Sequence, residues 1–239
     1  MRLLVVGGCG LVGSLVVPVL ARTHSVRVLD IVAPAAPVSD VDYHTGDLHD
    51  VDLVESLASE VDSVVFMAMG PGPDWGSPAN VRAHFDVAVS GLYLTLLGAH
   101  RAGVRHVVYT SSMSVYRFEG RTGMFTFPDE SVPPNATDFY GLSKRLGEEV
   151  CRAATEYGID TVCLRLCFPM PEDQWPKSET PMQRAISTSG RDVAAAIEAA
   201  LHYRGHGFEA FAISGDATGK TMSLDKARRV LGWTPRDVT

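Results

Sequence analysis

An apolar run breaks into glycines between residues 2 and 13: RLLVVGGCGLVG. Residues 2–6 read as a strand and 11–20 as a helix, so Gly7, Gly10 and Gly13 form a G-x-x-G-x-x-G turn between them. Each glycine has a separate physical task. The first permits a tight turn, the second lets backbone approach a pyrophosphate, and the third lets the helix pack closely on the sheet. Free amides at the start of the helix, at Leu11 and Val12, then face the phosphates. A tight turn without a ligand would use the same glycines, so the loop gains meaning only from what surrounds it.

The rest of the chain keeps the same rhythm. Residues 25–30, 41–44, 61–68, 104–110, 160–166 and 208–213 read as strands, and 51–59, 81–101, 140–157, 191–203 and 223–230 as helices. The stretch 117–139, rich in glycine, proline and aromatics, reads as a long loop. Most of the strand runs are apolar on both faces, as a parallel sheet covered by helices on both sides requires. The expected fold is therefore α/β, a Rossmann-like doubly wound parallel sheet. At 239 residues and 46% hydrophobic content, one core fits and a large second domain does not. We expect a single domain over 1–239, with a small abbreviated substrate-binding region formed mainly by 168–190 and 204–239.

Charge and composition narrow the partners. The net charge of −7, with both signs spread along the chain, disfavours nonspecific binding to nucleic acid or to an anionic membrane. No run of 18 apolar residues offers a membrane span. The apolar N-terminus carries glycines where a leader helix needs continuity, so it reads as a strand. Cys9, Cys151, Cys163 and Cys167 match no common metal spacing, and the 8 histidines form no H-E-x-x-H. The expectation is a cytoplasmic protein with reduced thiols, no metal and a small-molecule substrate.

Asp30 ends the second strand, 17 residues after Gly13. A carboxylate there accepts both hydrogen bonds of an adenosine ribose and repels a 2′-phosphate, which favours NAD over NADP. Asp47 and Leu48, in HTGDLHD, follow the third strand; they flank an adenine ring, or Asp47 caps the next helix. Ala68 and Gly70 leave room for a flat cofactor past the fourth strand, or simply form a Gly-Pro turn. In DFYGLSKR, Tyr140 and Lys144 share one helical side. An ammonium there should lower the phenol pKa, so that Tyr140 takes a proton from an alcohol as hydride leaves its carbon. Lys144 would also hold the nicotinamide ribose hydroxyls. Ser112, in YTSSMSVY, would orient the substrate oxygen. Alone, Y-x-x-x-K says little; its position past a strand end, in the same half of the fold as the glycine turn, gives it weight.

With AGVRHVVYTSS at 102–112, LR at 164–165 and RDVA at 191–194, these motifs resemble the extended short-chain dehydrogenases/reductases of the nucleotide-sugar epimerase and dehydratase type, from residue 2 to about 203. The resemblance implies that Gly7, Gly10 and Gly13 bind pyrophosphate, Asp30 the adenosine ribose, and Asp47 and Leu48 the adenine. It makes Ser112, Tyr140 and Lys144 the catalytic set. Departures locate the substrate question. Val6 replaces a threonine, Ala88 an asparagine, Arg117 the glycine of VYG, and Phe168 the asparagine after the sixth strand. Only about 25 residues separate Leu166 from Asp192, little for binding a nucleotide.

The compact uronate dehydrogenase branch fits that economy better, through FPMPED and SLDKARRVLGWTPRD at 223–237. It implies NAD-dependent oxidation of the C1 hydroxyl of a free hexuronic acid to an aldarolactone. Met113 and Ser114 stand where that branch has Asn-His, and the substrate carboxylate should meet an arginine, with Arg184 and Arg191 as candidates. Two alternatives remain open: an epimerase or dehydratase that retains NAD, and a redox-inactive NAD-binding regulatory protein. Met113, inert beside the catalytic serine, weighs against a dehydratase, and the intact Ser112, Tyr140 and Lys144 set against a regulator. Residues 81–101 and 140–156 either form a four-helix homodimer interface or cover the sheet. Cys9, Cys163 and Cys167 read as packing residues and His44 and His49 as loop or surface. Trp75, Phe118, Phe125 and Phe127 read as a local cluster near the cleft mouth, and Glu119, Arg121 and Glu130 as a solvated face.

Overall fold

The computed structural model describes residues 1–117, 129–174, 186–219 and 222–236. Seven parallel strands form one sheet: β1 (Arg2–Val6), β2 (Ser25–Asp30), β3 (Val41–Thr45), β4 (Ser63–Phe66), β5 (His106–Ser112), β6 (Asp160–Leu166) and β9 (Phe208–Ile213). Their order is β3-β2-β1-β4-β5-β6-β9. The strand sequence reverses direction between β1 and β4. Such a switch opens a crevice beyond the carboxyl ends of the strands.

The all-apolar strands are explained by two cores. Leu3 and Val5 of β1 face one cluster, with α1 (Leu11–Leu20) and α6 (Gly190–His202); Leu4 and Val6 face the other, with α2 (Val51–Ala58), α4 (Leu92–Arg101) and α5 (Phe139–Ala154). Alternate residues of one strand thus serve opposite faces. Leu92, Leu96, Cys151 and Ala154 pack in the second cluster, so α4 and α5 do cover the sheet.

The helix expected over 81–101 begins earlier, with α3 (Pro78–Phe85), and is interrupted by a π turn over Asp86–Gly91 before α4. Strand β5 runs two residues further than expected and carries Ser111 and Ser112 to the cleft. Residues 223–230 form a π turn, Ala227–Leu231, closed by Gly232 in left-handed backbone, rather than a regular helix. Two short strands, β7 (Pro169–Met170) and β8 (Thr188–Ser189), were not legible, because two residues carry no period. Cys163 and Cys167 do not share a face. The strand ends at Leu166, and each thiol enters a different core. Trp233 packs in the α1–α6 core, and its indole N–H donates to Asp192 O at 3.1 Å.

Candidate active site

A cleft of about 920 Å³ crosses the carboxyl ends of β2, β1, β4, β5 and β6. Gly7, Gly10, Leu11, Val12, Asp30, Asp47, Leu48, Ala68, Ser112, Tyr140 and Lys144 all line it. Gly13 does not. A Cβ on Gly13 would collide with the Gly8 backbone, so this glycine holds α1 against the turn from behind.

At one end the three glycines separate by cause. Gly7 has φ +83, and a Cβ there would run into the Ala68 backbone. The chain's own packing therefore requires Gly7 and Gly13. Gly10 is different: its nearest neighbour would be Gly7 O at 3.5 Å, an ordinary contact. Nothing in the chain demands a bare position there, whereas a ligand approaching the backbone would. Gly10 also begins α1 without a side-chain cap, while α2, α3, α5 and α6 are capped by Asp50, Ser77, Asp138 and Ser189. The first-turn amides of α1 are thus not taken by a cap.

Asp30 is aimed by backbone: Cys9 N–H donates to Oδ2 at 2.9 Å and Val32 N–H to Oδ1 at 3.2 Å. Burial, helped by the Asp30 charge, pushes the Cys9 thiol pKa up, which suits a packing residue. Asp47 does not cap α2; Asp50 does, through Leu53 N–H. Asp47 instead accepts from His49 N–H at 2.9 Å and from the His49 ring at 2.6 Å, and these bonds hold its pKa down. Contrary to a plain surface reading, His49 lines the cleft, and its Nε2 lies 3.4 Å from Asp86.

At the other end, Ser112 closes β5 in register with Leu166 of β6. Its Oγ accepts Ser114 N–H at 3.1 Å, and it lines the same cleft as the Tyr140 phenol. Asp138 caps α5 by accepting Gly141 N–H at 2.9 Å, which fixes Tyr140 in the first turn. The Tyr140 ring packs against Trp75 at 5.3 Å and edge-on to His84 at 5.7 Å. Burial lowers the pKa of His84, and the Lys144 charge adds to this, so a neutral imidazole backs the phenol.

Lys144 is buried, donates from Nζ to Thr110 O at 2.9 Å and lies 5.0 Å from the Tyr109 ring centre. Burial brings its pKa down to about 8. The expected lowering of the Tyr140 pKa is not seen. Burial raises it, the neighbouring Ser112 hydroxyl opposes that, and the Asp138 charge adds to the rise. Lys144 donates to the Thr110 carbonyl, and desolvation of the phenol is the largest influence on Tyr140.

One turn beyond Lys144 stands Glu148, which sequence reasoning missed. Its carboxylate takes Arg165 Nε at 2.9 Å and Nη2 at 2.7 Å, and also the Ser111 hydroxyl at 2.6 Å. Arg165 Nη1 reaches the Tyr116 hydroxyl at 2.5 Å. Tyr140, Lys144 and Glu148 follow one another at i+4, so the spacing held the signal. This buried network ties α5 to β5 and β6 directly beneath the reactive groups.

Toward the substrate end the cleft is walled by Met67, Met69, Met113, Trp75, Leu166 and Phe168. Arg191 is outside that lining; its N–H donates to Glu172 at 2.7 Å and its guanidinium lies 3.8 Å from the same carboxylate. Arg184, Phe118, Phe125, Phe127, Glu119 and Arg121 lie outside the described residues. Glu130 is more than a solvated charge, since it accepts Ala212 N–H at 2.7 Å. Among the described residues, no helix is long and apolar enough to cross a membrane.

A glycine cradle at one end of a crevice and the Tyr140 phenol beside Lys144 at the other place this molecule among the Rossmann-fold proteins of short-chain dehydrogenase/reductase type. Residues 3–204 match the NAD dependent epimerase/dehydratase family, and the chain belongs to it. It is 29% identical over 162 residues to a UDP-glucose 4-epimerase of Neisseria meningitidis serogroup B, a match covering 62% of this chain and 47% of the epimerase. The chain thus spans about half of that relative. It is 26% identical to the uronate dehydrogenase of Pseudomonas putida, over 99% of this chain and 84% of the enzyme. The structure superposes on a mutated uronate dehydrogenase with a TM-score of 0.80 and 28% identity, covering 99% of this chain and 82% of that one. The family's cofactor is NAD, and the residues fit it: an open backbone at Gly10, uncapped amides at Leu11 and Val12, and the backbone-aimed carboxylate of Asp30.

Proposed function

We propose that this chain is an NAD-dependent dehydrogenase that removes hydride from a hydroxyl-bearing carbon of a small sugar or sugar acid, with Tyr140 as base. The observation that carries the reading is that Ser112, Tyr140 and Lys144 line the same cleft as the glycine turn. The Leu11 and Val12 amides hold the pyrophosphate, Asp30 the adenosine ribose, and Asp47 and Leu48 flank the adenine. Ala68 keeps the sheet edge low, and Lys144 reaches the second ribose. When bound, NAD supplies the hydride acceptor and a positive charge at the nicotinamide.

Ser112 orients the substrate oxygen. Tyr140 receives the hydroxyl proton while the adjacent carbon gives up its hydrogen with both bonding electrons, and the C–O bond becomes C=O. At rest the phenol keeps its proton, because burial holds its pKa up; positive charge arriving beside it favours loss of that proton to solvent, leaving the phenolate that receives the substrate proton. The uronate dehydrogenase relative, matched along nearly the whole chain, supports a sugar or sugar acid as the substrate class.

The test is NADH production with NAD and a panel of free uronic acids, neutral sugars and nucleotide sugars. Net NADH from a free sugar or sugar acid is expected. Turnover confined to nucleotide sugars, with no net NADH, would sink the proposal. A Tyr140→Phe variant should bind NAD normally and lose about a thousandfold in kcat. Full turnover by that variant would remove Tyr140 from its role.

A further inference from the structure

We propose that the substrate is an uncharged ring alcohol or lactol that lays an apolar face on Phe168 and Trp75, rather than a carboxylate-bearing sugar. The proposal rests on the dehydrogenase reading of the cleft and narrows its substrate.

Phe168 is the first observation. Four non-glycine residues among those described have positive φ: Asp40, Glu60, Asp74 and Phe168. Three are acidic residues in exposed stretches, where a short strained turn is common. Phe168, at φ 40, is an aromatic residue in backbone that bulky side chains avoid. The strain is held in place by β8. Thr188 N–H lies 3.2 Å from Cys167 O and 3.1 Å from Phe168 O, and Thr188 Oγ1 donates to Cys167 O at 2.8 Å. Its consequence is placement. Leu166 and Cys167 are buried, yet the Phe168 ring stands 50% exposed in the cleft.

The second observation is where exposed apolar surface collects. Nine large hydrophobic side chains are exposed among the described residues, and six of them line this one cleft. Leu11, Ile31 and Val32 belong to its dinucleotide end, and Met69, Trp75 and Phe168 to the ends of β4 and β6. Concentration of this kind marks a binding surface. Trp75 is stiff: its ring packs at 4.9 Å on His84 and at 4.9 Å on Phe139, besides its contact with Tyr140. Phe168 lies two residues past Leu166, the register neighbour of Ser112. Two aromatic rings on separate loops thus flank the Ser112–Tyr140 pair. A flat apolar ring face is what such platforms cover with least loss of freedom.

The third observation is charge. The groups lining this end are thioethers (Met67, Met69, Met113), the Cys167 thiol, the Ser112 and Ser114 hydroxyls and the Tyr140 phenol. Lys144 is engaged with Thr110 O, and Arg191 with Glu172. Among the described residues the ammonium at this end is Lys144, which the dehydrogenase reading assigns to the cofactor ribose, so a carboxylate entering here would leave water without a cation of its own, which is costly. A neutral ring needs only its reacting hydroxyl on Ser112 and Tyr140, with Ser114 free to take a second.

The test uses pairs of substrates that differ only in the carboxylate: galactose against galacturonate and glucose against glucuronate, with cyclohexanediol as a ring lacking other hydroxyls. The neutral member should have at least a tenfold higher kcat/KM. Phe168→Gly removes the ring and the backbone strain together, so it folds; it should raise KM for the neutral substrate at least tenfold and leave NAD affinity unchanged. Trp75→Phe, with the smaller ring, should raise KM less. Equal use of both members, or preference for the uronate, overturns the proposal and leaves the dehydrogenase reading standing. If no alcohol yields NADH, the dehydrogenase reading falls. Binding then decides the pocket: the Tyr140→Phe protein with NAD should bind the neutral ring by calorimetry, and no binding overturns the proposal too.

Discussion

The two ends of the cleft are built by different means. At the dinucleotide end, position is set by backbone: a left-handed Gly7, an open Gly10, and an Asp30 carboxylate held by the amides of Cys9 and Val32. At the substrate end it is set by side chains brought together from distant segments. Tyr140 rests on Trp75 and His84, Lys144 reaches back to Thr110, and Glu148 grips Arg165. The first kind of site depends on a ligand whose shape never changes, so a short spacing encodes it. The second kind can be refitted residue by residue to a new substrate while the chemistry beneath stays fixed.

The sharpest way to break this division lies among the glycines. Gly7→Ala forces a Cβ into the Ala68 backbone at φ +83. We expect a loss on the order of 5 kcal/mol, enough to leave little folded protein. Gly10→Ala meets no such obstacle, and its φ of −75 suits alanine. It should change stability by less than about 1 kcal/mol while weakening NAD binding at least about tenfold. Urea unfolding and calorimetry separate the two. If both variants lost stability alike, Gly10 would belong to the fold and not to the ligand.

At the substrate end the largest effect should come from Glu148→Ala, which leaves the 3% exposed Arg165 buried without its carboxylate. A cost of about 3–5 kcal/mol is expected in urea unfolding. A cost below about 1 kcal/mol would mean that the network under Tyr140 and Lys144 is not what fixes α5 to the sheet.

The same division governs what could be read from the sequence. The parallel sheet was legible because most strand runs are apolar on both faces, and each face has its own core. That Gly7, Gly10, Asp30, Tyr140 and Lys144 would reach one cleft was legible because each stands at a fixed step from a strand end or a helix start. That Ser112 lines the cleft was legible from its place after the expected strand. Glu148 followed the same i+4 step as Lys144, yet its partner Arg165 lies 17 residues on in another element, and no local pattern links them. His84 escaped for a similar reason: its contacts are with Trp75, Phe139 and Tyr140 across the cleft. The left-handed backbone of Phe168 is a property of the β7–β8 pairing and leaves no mark in FPMP itself. The direction of the Tyr140 pKa shift was misjudged because spacing shows a charge nearby but not the burial that outweighs it.

Asp30→Ala should have an intermediate effect. It removes the ribose acceptor and leaves the Cys9 and Val32 amides without their partner. NAD affinity should fall about 10- to 100-fold, the scale of a hydrogen bond to a charged group, and the preference for NAD over NADP should shrink. Calorimetry with both cofactors measures this. Unchanged discrimination would show that Asp30 only props the glycine turn.

The smallest expected effect is the one that would blur the division, because His49 is a side-chain clasp at the dinucleotide end. It spans from Asp47 to Asp86, joining the loop after β3 to the π turn. Burial, the largest single influence, draws its pKa down. The hydrogen bond the ring donates to Asp47 and the charges of Asp86 and Asp47 together outweigh it, and the net shift is upward from 6.5. Below pH 6.5 the ring is charged in folded and unfolded chains alike, and the clasp contributes in full. As pH rises past 6.5 the unfolded chain gives up its proton first, so the contribution fades, and it is gone once pH passes the raised folded value. The stability difference between the wild type and His49→Gln should therefore be greater at pH 6 than at pH 8.5, by less than about 1 kcal/mol for a pair this close to solvent. Urea unfolding at both pH values reads it. A difference independent of pH would mean that the ring works as a neutral hydrogen-bonding group. A gap well above 1 kcal/mol would mean that the dinucleotide end, too, is held by contacts that no short spacing records.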